Sequence, residues 1–268
     1  MSGLLPHRRK GFRQTAPSNF DGFGNKSRSF DGVDDYVSIP DLTSIVGNSL
    51  TISAWAKFDD LTSDSGGAIL DIADSVTSYL SIIGRIFYYK PAGEIQFYVR
   101  DASGNANFVT QSWTTTNTWH HFCLVRNGSN IEAYIDGVSI GSDNTNTIGS
   151  HTSAHYTTIG NLRNAVIQAP PYWMEGNIAD ARIYDTDLTS TDVSNLYNGT
   201  DITTNLVGHW LKDTDDVLDH STNSNNGENF GSIFSPDNPS PAITFGRASR
   251  SFDGVGDYIT APDGSWLP

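Results

Sequence analysis

The stretch WHHFCLVRNGSNIEAYIDGVSIG, from Trp119 to Gly141, contains the clearest structural signals of the chain. Small or branched apolar residues occur at every second position from Ile131 to Ile135, which is the period of a strand with one face against a core. Asp136-Gly137 follows, a dipeptide typical of two-residue hairpin turns, because both central residues of such a turn need a positive φ. The stretch therefore predicts a pair of antiparallel strands.

The two-residue period recurs elsewhere. It is present in LTISAWAKF (50–58) and EIQFYVR (94–100), and GNIADARIYD (176–185) is a further strand candidate. The chain is rich in Gly, Thr, Ser, Asn and Asp, and 11% of it is aromatic, a composition typical of short strands joined by polar turns. No alternation of strand and helix patterns is present. We therefore predict an all-β fold of two packed antiparallel sheets, a sandwich or jelly roll.

One segment, LTSTDVSNLYNG (188–199), has a helical pattern. Thr189 can act as the N-cap with Asp192 three residues later, and Gly199 supplies a stop. The apolar side consists of Val193, Leu196 and Tyr197. The pattern predicts one short helix of about two turns, packed on an edge of the sandwich.

Four segments resemble, in order and spacing, the laminin-G-like domains of the concanavalin A-like lectin/glucanase superfamily. They are SRSFDGVDDYVSIP (27–40), NSLTISAWAKF (48–58), the Trp119–Gly141 stretch and MEGNIADARIYDTDLTSTDVSNLYNG (174–199). The resemblance implies a concanavalin A-like jelly-roll domain, which we assign to residues 27–204. The last strand of the family usually reads G-x-I-D-E-V-R-I-Y, and GNIADARIY keeps its Asp180 but has Ala181 where an acid is common.

A partial repeat follows this domain. SRSFDGVGDYITAPD (249–263) matches residues 27–41 at eleven of fifteen positions. In tandem members of the family such a strand is preceded by a segment similar to NLVGHWLKDTDDVLDHSTNSNNGENFG (205–231), so residues 205–268 resemble the first third of a second domain. Either these residues belong to a tandem array seen in part, or they form an appendage docked on the first domain. Residues 1–26 predict a basic flexible arm.

The formal net charge is −14, from 30 acidic and 16 basic residues. Such a surface repels a phosphate backbone, so we expect no nucleic-acid partner. The N-terminus has no apolar run of signal-peptide length, and no later segment approaches a membrane span. The sequence therefore predicts neither a secretion signal nor membrane insertion. The single cysteine, Cys123, excludes an internal disulfide.

The glucanases of the superfamily use carboxylates in a pattern similar to ExDxxE, which places them on one face of a strand. The four glutamates of this chain, Glu94, Glu132, Glu175 and Glu228, all lack that pattern. The chain also has neither a GxSxG nucleophile motif nor a Cys/His cluster with zinc spacing. We therefore expect no enzyme activity.

The resemblance implies one structural Ca²⁺ ion. By position, Asp180 and the region of Gly47 correspond to family ligands, and Asp31 is a possible third contributor. Hard oxygen ligands from distant parts of a disulfide-free chain suit Ca²⁺. The alternative is that Asp180 caps a turn or pairs with Arg182.

A sugar site requires aromatic rings beside polar groups, because sugar rings present C–H faces for stacking and hydroxyls for hydrogen bonds. The candidates are Trp113 in TQSWTTTNTW and Tyr172 and Trp173 in QAPPYWMEG. For these loop aromatics, a core position and a binding position both remain open.

We therefore expect a non-catalytic recognition or adhesion module that binds carbohydrate or a protein surface. A second hypothesis is a structural component, decoration or fibre, of a virion or other large assembly, in which residues 1–26 and 205–268 contact other subunits. Lysis delivers such proteins outside the cell without a signal, so an extracellular or virion-surface location agrees with the sequence. A glycan-cleaving enzyme is the third alternative.

Overall fold

The computed structural model describes residues 26–42, 45, 48–62, 66–73, 81–151, 156–162, 172–212 and 217–239. The basic arm, Gly47 and the second copy at residues 249–263 lie outside these described residues. Within the described part no helix combines the length and the apolar character that crossing a bilayer demands.

Two antiparallel sheets make up the fold, as predicted. Sheet A has the strand order β10-β9-β8-β3-β12-β1-β15, and β13 also pairs with β12. Its strands are β1 (Ser27–Asp31), β3 (Ser49–Phe58), β8 (His120–Asn127), β9 (Asn130–Ile135), β10 (Val138–Asp143), β12 (Glu175–Tyr184), β13 (Leu206–Trp210) and β15 (Ile233–Ser235).

Sheet B has the order β14-β2-β11-β4-β5-β6-β7. Its strands are β2 (Tyr36–Ile39), β4 (Gly66–Ala73), β5 (Ile82–Tyr89), β6 (Glu94–Arg100), β7 (Ala106–Ser112), β11 (Tyr156–Ile159) and β14 (Glu228–Phe230). The one described helix is α1 (Ser190–Tyr197).

The hairpin expected at Asp136-Gly137 joins β9 to β10. Both turn residues have positive φ, 52° and 75°, and Ile135 pairs directly with Val138. Because Asp tolerates the left-handed region and Gly is unstrained there, this turn fixes the register of the two strands.

The inner faces of the two sheets share one apolar core. On β6, Ile95, Phe97 and Val99 are fully buried while the intervening residues stay partly exposed, so the two-residue period of EIQFYVR is confirmed. Phe122 of β8 meets Phe97 across the core with ring centroids 6.5 Å apart. Each such side chain contributes about 1.5–3 kcal/mol through burial.

Helix α1 begins as predicted, with Thr189 and Asp192 forming a capping box, and Gly199 follows it with a φ of 81°. It packs on the outer face of sheet A rather than on an edge of the sandwich. Its Val193 and Leu196 join a second apolar cluster that includes Cys123, Val125, Tyr134, Tyr184 and Leu188. The sheet is thus apolar on both faces here, which favours a helix above it.

The segment after residue 204 adds strands to both sheets. β13 pairs with β12, β15 with β1, and β14 with β2. Trp210 of β13 is 0% exposed, and its Nε1 donates a 2.8 Å hydrogen bond to the Asn225 carbonyl. Over its described residues, the segment is therefore docked on residues 27–204 and shares their core.

Polar contacts fix the end of this segment to sheet A. Arg28 donates through Nε to Ser232 Oγ at 2.8 Å and through Nη2 to the Ser232 carbonyl. Asp237 accepts from Lys57 Nζ at 2.5 Å and from Trp119 Nε1 at 3.1 Å. These contacts join residues that are far apart in sequence.

Replacing Trp210 by Ala should lower the free energy of unfolding by about 3–5 kcal/mol, because it removes a fully buried aromatic residue. Phe234→Ala is the matched control, since Phe234 lies on β15 but is 36% exposed; we expect a loss below about 1 kcal/mol. Urea denaturation of both variants measures the difference. Equal midpoints would show that β13 is not part of the core.

A buried histidine lies beneath α1. His121 is 1% exposed, with its ring centroid 5.4 Å from that of Trp55 and 6.3 Å from that of Tyr197. Burial disfavours the imidazolium and lowers the pKa of His121 to about 4. The folded protein therefore keeps this ring neutral at pH values where the unfolded chain takes up a proton.

Stability should consequently fall as the pH drops from about 6.5 towards 4, and His121 should contribute a loss on the order of 3 kcal/mol. His121→Phe removes this titration, so the pH dependence of its unfolding free energy should be shallower in that interval. Urea unfolding of both proteins at pH 7 and pH 4.5 measures it. Parallel pH profiles would contradict this role.

Candidate functional site

The outer face of sheet B carries an open row of aromatic and polar side chains. Because alternate residues of β6 point into the core, the others point outward. The register places Arg85 of β5 opposite Tyr98 of β6, and Tyr98 opposite Phe108 of β7. Phe87 lies opposite Gln96 in the same way. The three strands thus present one continuous surface.

A depression of about 200 Å³ opens on this surface. Its aromatic wall consists of Phe87, Tyr89, Tyr98 and Tyr172, and its polar groups are Arg85, Gln96 and Arg100. Mixed linings of this kind are typical of small-ligand sites, where apolar area gives affinity and a few polar groups fix orientation.

Tyr172 is held by the two aromatic residues beside it. Its ring meets Phe87 edge-on, with centroids 5.6 Å apart, and stacks on Tyr89 at 6.3 Å. On the other side of the depression, Tyr98 stacks on Phe108 at 6.3 Å. Tyr89, Tyr98 and Tyr172 all remain partly exposed, so they are oriented but accessible.

The floor of the depression contains a buried ion pair. Arg85 donates to the Asp71 carboxylate through Nε at 2.8 Å and through Nη2 at 3.1 Å, and both side chains are almost fully buried. The Arg85 guanidinium also lies 5.8 Å from the centre of the Phe87 ring. The charge of Arg85 is therefore compensated within the protein.

Arg100 and Gln96 are the more available polar groups. Gln96 donates one amide hydrogen to Glu94 Oε1 at 2.6 Å. Arg100 forms no ion pair with any described residue, and its buried Nε has no hydrogen-bond partner there. The depression therefore contains unused donor capacity.

The three aromatic residues proposed from the sequence have different environments. Tyr172 lies in the depression. Trp173, the next residue, instead faces a second hollow, where its ring centroid is 6.1 Å from that of Tyr36, which stacks on Phe230 at 4.4 Å. The two residues therefore line separate hollows of sheet B.

Trp113 is a core residue and not an exposed platform. It is 8% exposed, its ring packs 5.3 Å from that of Phe122, and its Nε1 donates to the Thr115 carbonyl at 3.0 Å. Both faces of its ring are therefore unavailable to a sugar. Of the two positions left open by the sequence, Trp113 therefore has the core position. It directly follows β7, and its ring packs against Phe122 of β8.

Sequence reasoning missed most of the depression. The sequence predicts a strand for Tyr98 and Arg100 but assigns Arg85, Phe87 and Tyr89 to no element. The alternation in EIQFYVR contained a usable signal, because it sets Gln96, Tyr98 and Arg100 on the face opposite the core. The partners on β5 depend on strand register, which no local pattern supplies.

Asp31 and Asp180, two of the three predicted calcium ligands, do not converge. Asp31 pairs with Glu175 on β12, whereas Asp180 lies five residues further along that strand. At about 3.3 Å per residue the two carboxylates are roughly 16 Å apart. Since Ca²⁺ binds oxygen at about 2.3–2.6 Å, one ion cannot bind both. Gly47 lies outside the described residues.

Asp180 already has two partners, the Arg182 guanidinium and the His209 imidazole. Its Oδ1 lies 2.5 Å from His209 Nε2 and accepts from Arg182 Nη2 at 3.0 Å, and the residue is buried. Burial opposes its ionisation, but Arg182 and His209 outweigh this and lower the pKa of Asp180 to about 2. Arg182 also pairs with Asp201 at 2.7 Å. The partners of Asp180 are thus nitrogen donors, which do not fit a calcium site. Asp180 pairs with Arg182, the contact named above as the alternative to calcium.

Asp31 belongs to a turn between β1 and β2. Its Oδ1 accepts from the Val33 backbone at 2.8 Å, and Asp35 Oδ2 accepts from the Asp31 backbone at 3.0 Å. The carboxylates of Asp31, Asp34 and Asp35 lie within 4.8 Å of one another. The hydrogen bonds of the turn account for this grouping.

Comparison with known proteins gives a consistent result. A family model described as concanavalin A-like lectin/glucanases superfamily, of the laminin-G type, matches residues 31–194. No curated protein matches the sequence. A heptameric SAP-like pentraxin from Limulus polyphemus is 16% identical with a TM-score of 0.55, and the alignment covers 78% of this chain and 94% of the pentraxin.

A protein from Bacteroides ovatus, described as carbohydrate-binding, has a TM-score of 0.58 and 14% identity. The alignment covers 80% of this chain and 60% of that protein, so the chain spans less than two thirds of its length. At these identities the likeness shows a shared lectin-like fold.

Asp180→Asn should destabilise the protein by about 3–5 kcal/mol, because the buried Arg182 would keep only the more exposed Asp201 as a counter-ion and His209 would lose its charged acceptor. Asn tolerates the φ of 52° at this position, so the variant tests the charge rather than the backbone. The loss should be the same in EDTA and in millimolar calcium, as measured by urea unfolding.

The exposed Asp34→Asn is the control, with little expected effect in either buffer. A loss for Asp180→Asn that appears only in calcium would restore Asp180 as a metal ligand.

Proposed function

The chain belongs to the laminin-G-like family of the concanavalin A-like lectin/glucanases superfamily, and from this premise we propose that it is a non-catalytic module that binds carbohydrate in the depression on sheet B. One observation carries the proposal. Tyr89, Tyr98 and Tyr172 are oriented yet accessible beside the free donors of Gln96 and Arg100.

The arrangement suits a sugar because pyranose rings offer C–H faces to aromatic rings and hydroxyls to fixed donors and acceptors. The contacts of Tyr172 with Phe87 and Tyr89 hold these rings before a ligand arrives, which reduces the entropy lost on binding. Sheet B also leaves this face uncovered by any described helix.

The polar groups support binding rather than cleavage. Glycoside hydrolysis needs two carboxylates about 5–9.5 Å apart. The described residues that line the depression include no Asp or Glu, and the nearby Asp71 is neutralised by Arg85. The glycan-cleaving alternative therefore finds no acid and nucleophile at this site.

The proposal has two alternatives, a protein ligand in the depression and a scaffold role in a larger assembly. A protein surface could occupy the depression in place of a glycan, as in adhesion. The scaffold role in a virion or other assembly rests on residues 1–26 and 205–268, of which 1–25, 213–216 and 240–268 lie outside the described residues. We propose an extracellular or virion-surface setting, where a glycan-binding module meets its ligand.

Tyr98→Ala and Tyr172→Ala should each weaken glycan binding about tenfold or more, because each removes a stacking ring, and about 1.4 kcal/mol corresponds to tenfold. A glycan array identifies ligands of the parent protein, and isothermal titration calorimetry then compares the variants. Phe234→Ala, an aromatic residue of sheet A, is the control and should bind as the parent does.

A parent protein that binds nothing on the array would argue against the proposal. So would unchanged affinity in both tyrosine variants, because the glycan would then bind elsewhere.

A further inference from the structure

We propose that the ligand of this depression is an acidic saccharide, whose carboxylate is bound by Arg100. The inference rests on the proposed function and names the substrate class of that same site. It follows from the distribution of charge around the depression rather than from its aromatic wall.

Arg100 is the uncompensated cation of the site. It lines the depression, forms no ion pair with a described residue, and its Nε is buried without a hydrogen-bond partner. A guanidinium has five donors in a planar fork, which matches the two oxygens of a carboxylate. Because Arg100 lines the depression without a described counter-ion, a carboxylate bound there gains a charge-assisted pair.

The neighbouring charges leave this role to Arg100 alone. Arg85 donates to Asp71 through two nitrogens and contributes no net charge. Asp101 follows Arg100 directly, but its oxygens accept from the backbone nitrogens of Ser103 and Gly149 at 2.9 Å. It also accepts from the Asn105 backbone and side chain. Asp101 is thus committed to its own turn.

The position of Arg100 relative to the rings suits a sugar acid. Tyr98 and Arg100 are two residues apart on β6, so both point outward and lie about 7 Å apart along the strand. A sugar ring stacked on Tyr98 can therefore extend a carboxyl group to Arg100. Gln96, on the other side of Tyr98, remains available to a ring hydroxyl.

The net charge of −14 opposes binding of an anion at long range. Exposed charges are screened beyond about 8 Å at physiological ionic strength, so the local cation decides the interaction. A single positive group in an acidic surface also gives selectivity, because an anion finds few other places to bind.

The test uses four acidic probes: oligogalacturonate, oligomannuronate, a hyaluronan tetrasaccharide and sialyllactose. Each is compared with its carboxyl-reduced, neutral counterpart by calorimetry on the full chain. At least one acid should bind tenfold or more tightly than its counterpart. Its affinity should fall as NaCl rises from 50 to 500 mM, whereas that of the neutral sugar should not.

Variants then assign the preference to Arg100. Arg100→Gln should reduce the affinity for the acid to that for the neutral sugar, and Arg100→Lys should retain part of the preference, because it keeps the charge but loses the fork. Tyr98→Ala should weaken both sugars alike. Lys57→Gln, which removes a cation from sheet A, should change neither. Thermal unfolding checks that each variant is folded.

Neutral sugars bound as tightly as the acids would overturn this inference and leave the proposed function in place. An acid preference that survives Arg100→Gln would overturn it too. If glycans of neither kind bind, the proposed function fails and this inference fails with it.

Discussion

The arrangement of sheet A depends on a break in the middle of β12. This strand pairs with β3 along one side, while its other side is shared between β1, up to Ile178, and β13, from Ala181 onward. Asp180 lies at that junction with a φ of 52°, and its backbone nitrogen donates to the Leu211 carbonyl at 2.9 Å. The bulge lets two edge partners meet on one strand. It also turns the Asp180 carboxylate towards His209 of β13, and the buried hydrogen bond between them attaches β13 to the sheet.

The two sheets differ in what covers their outer faces, and this difference positions the candidate site. Helix α1 covers sheet A, where Val193 and Leu196 seal an apolar cluster. The outer face of sheet B carries rings of intermediate exposure, and Phe108 is 51% exposed. Contiguous exposed apolar surface of this kind often marks an interaction site. The physical chemistry of the surface therefore agrees with the family in favouring a binding module.

The features that were predicted in detail from the sequence are set by residues close together along the chain. The hairpin at Asp136-Gly137 and the cap at Thr189 depend on a few adjacent residues, so their patterns were sufficient. The binding surface was only partly predictable, because Tyr172 meets Phe87 through the fold and not through spacing. The sequence left the partner of Asp180 open for the same reason, since a carboxylate cannot be assigned to calcium or to Arg182 without knowing which cation the fold brings to it.

The partial repeat can be understood from the contacts that β1 makes. Ser27 donates to the Asp237 carbonyl, Arg28 binds Ser232, and Phe30 is buried in the core. The copy at 249–263 keeps all three residue types, and the four positions at which it differs correspond to Asp34, which is exposed, and to 37–39 of β2. The residues that the two copies share therefore include those through which β1 contacts the end of the segment and the core.

The segment that leads into the second copy supplies one partner for each strand of the first copy, because β15 pairs with β1 and β14 pairs with β2. Residues 205–231 resemble the opening of a further domain, yet β13 and β14 within them complete the sheets of the first. A strand that bonds through its backbone accepts any partner with a suitable register and side-chain pattern. The described part of the segment therefore completes the sheets of the first domain, while its sequence resembles the start of a further one.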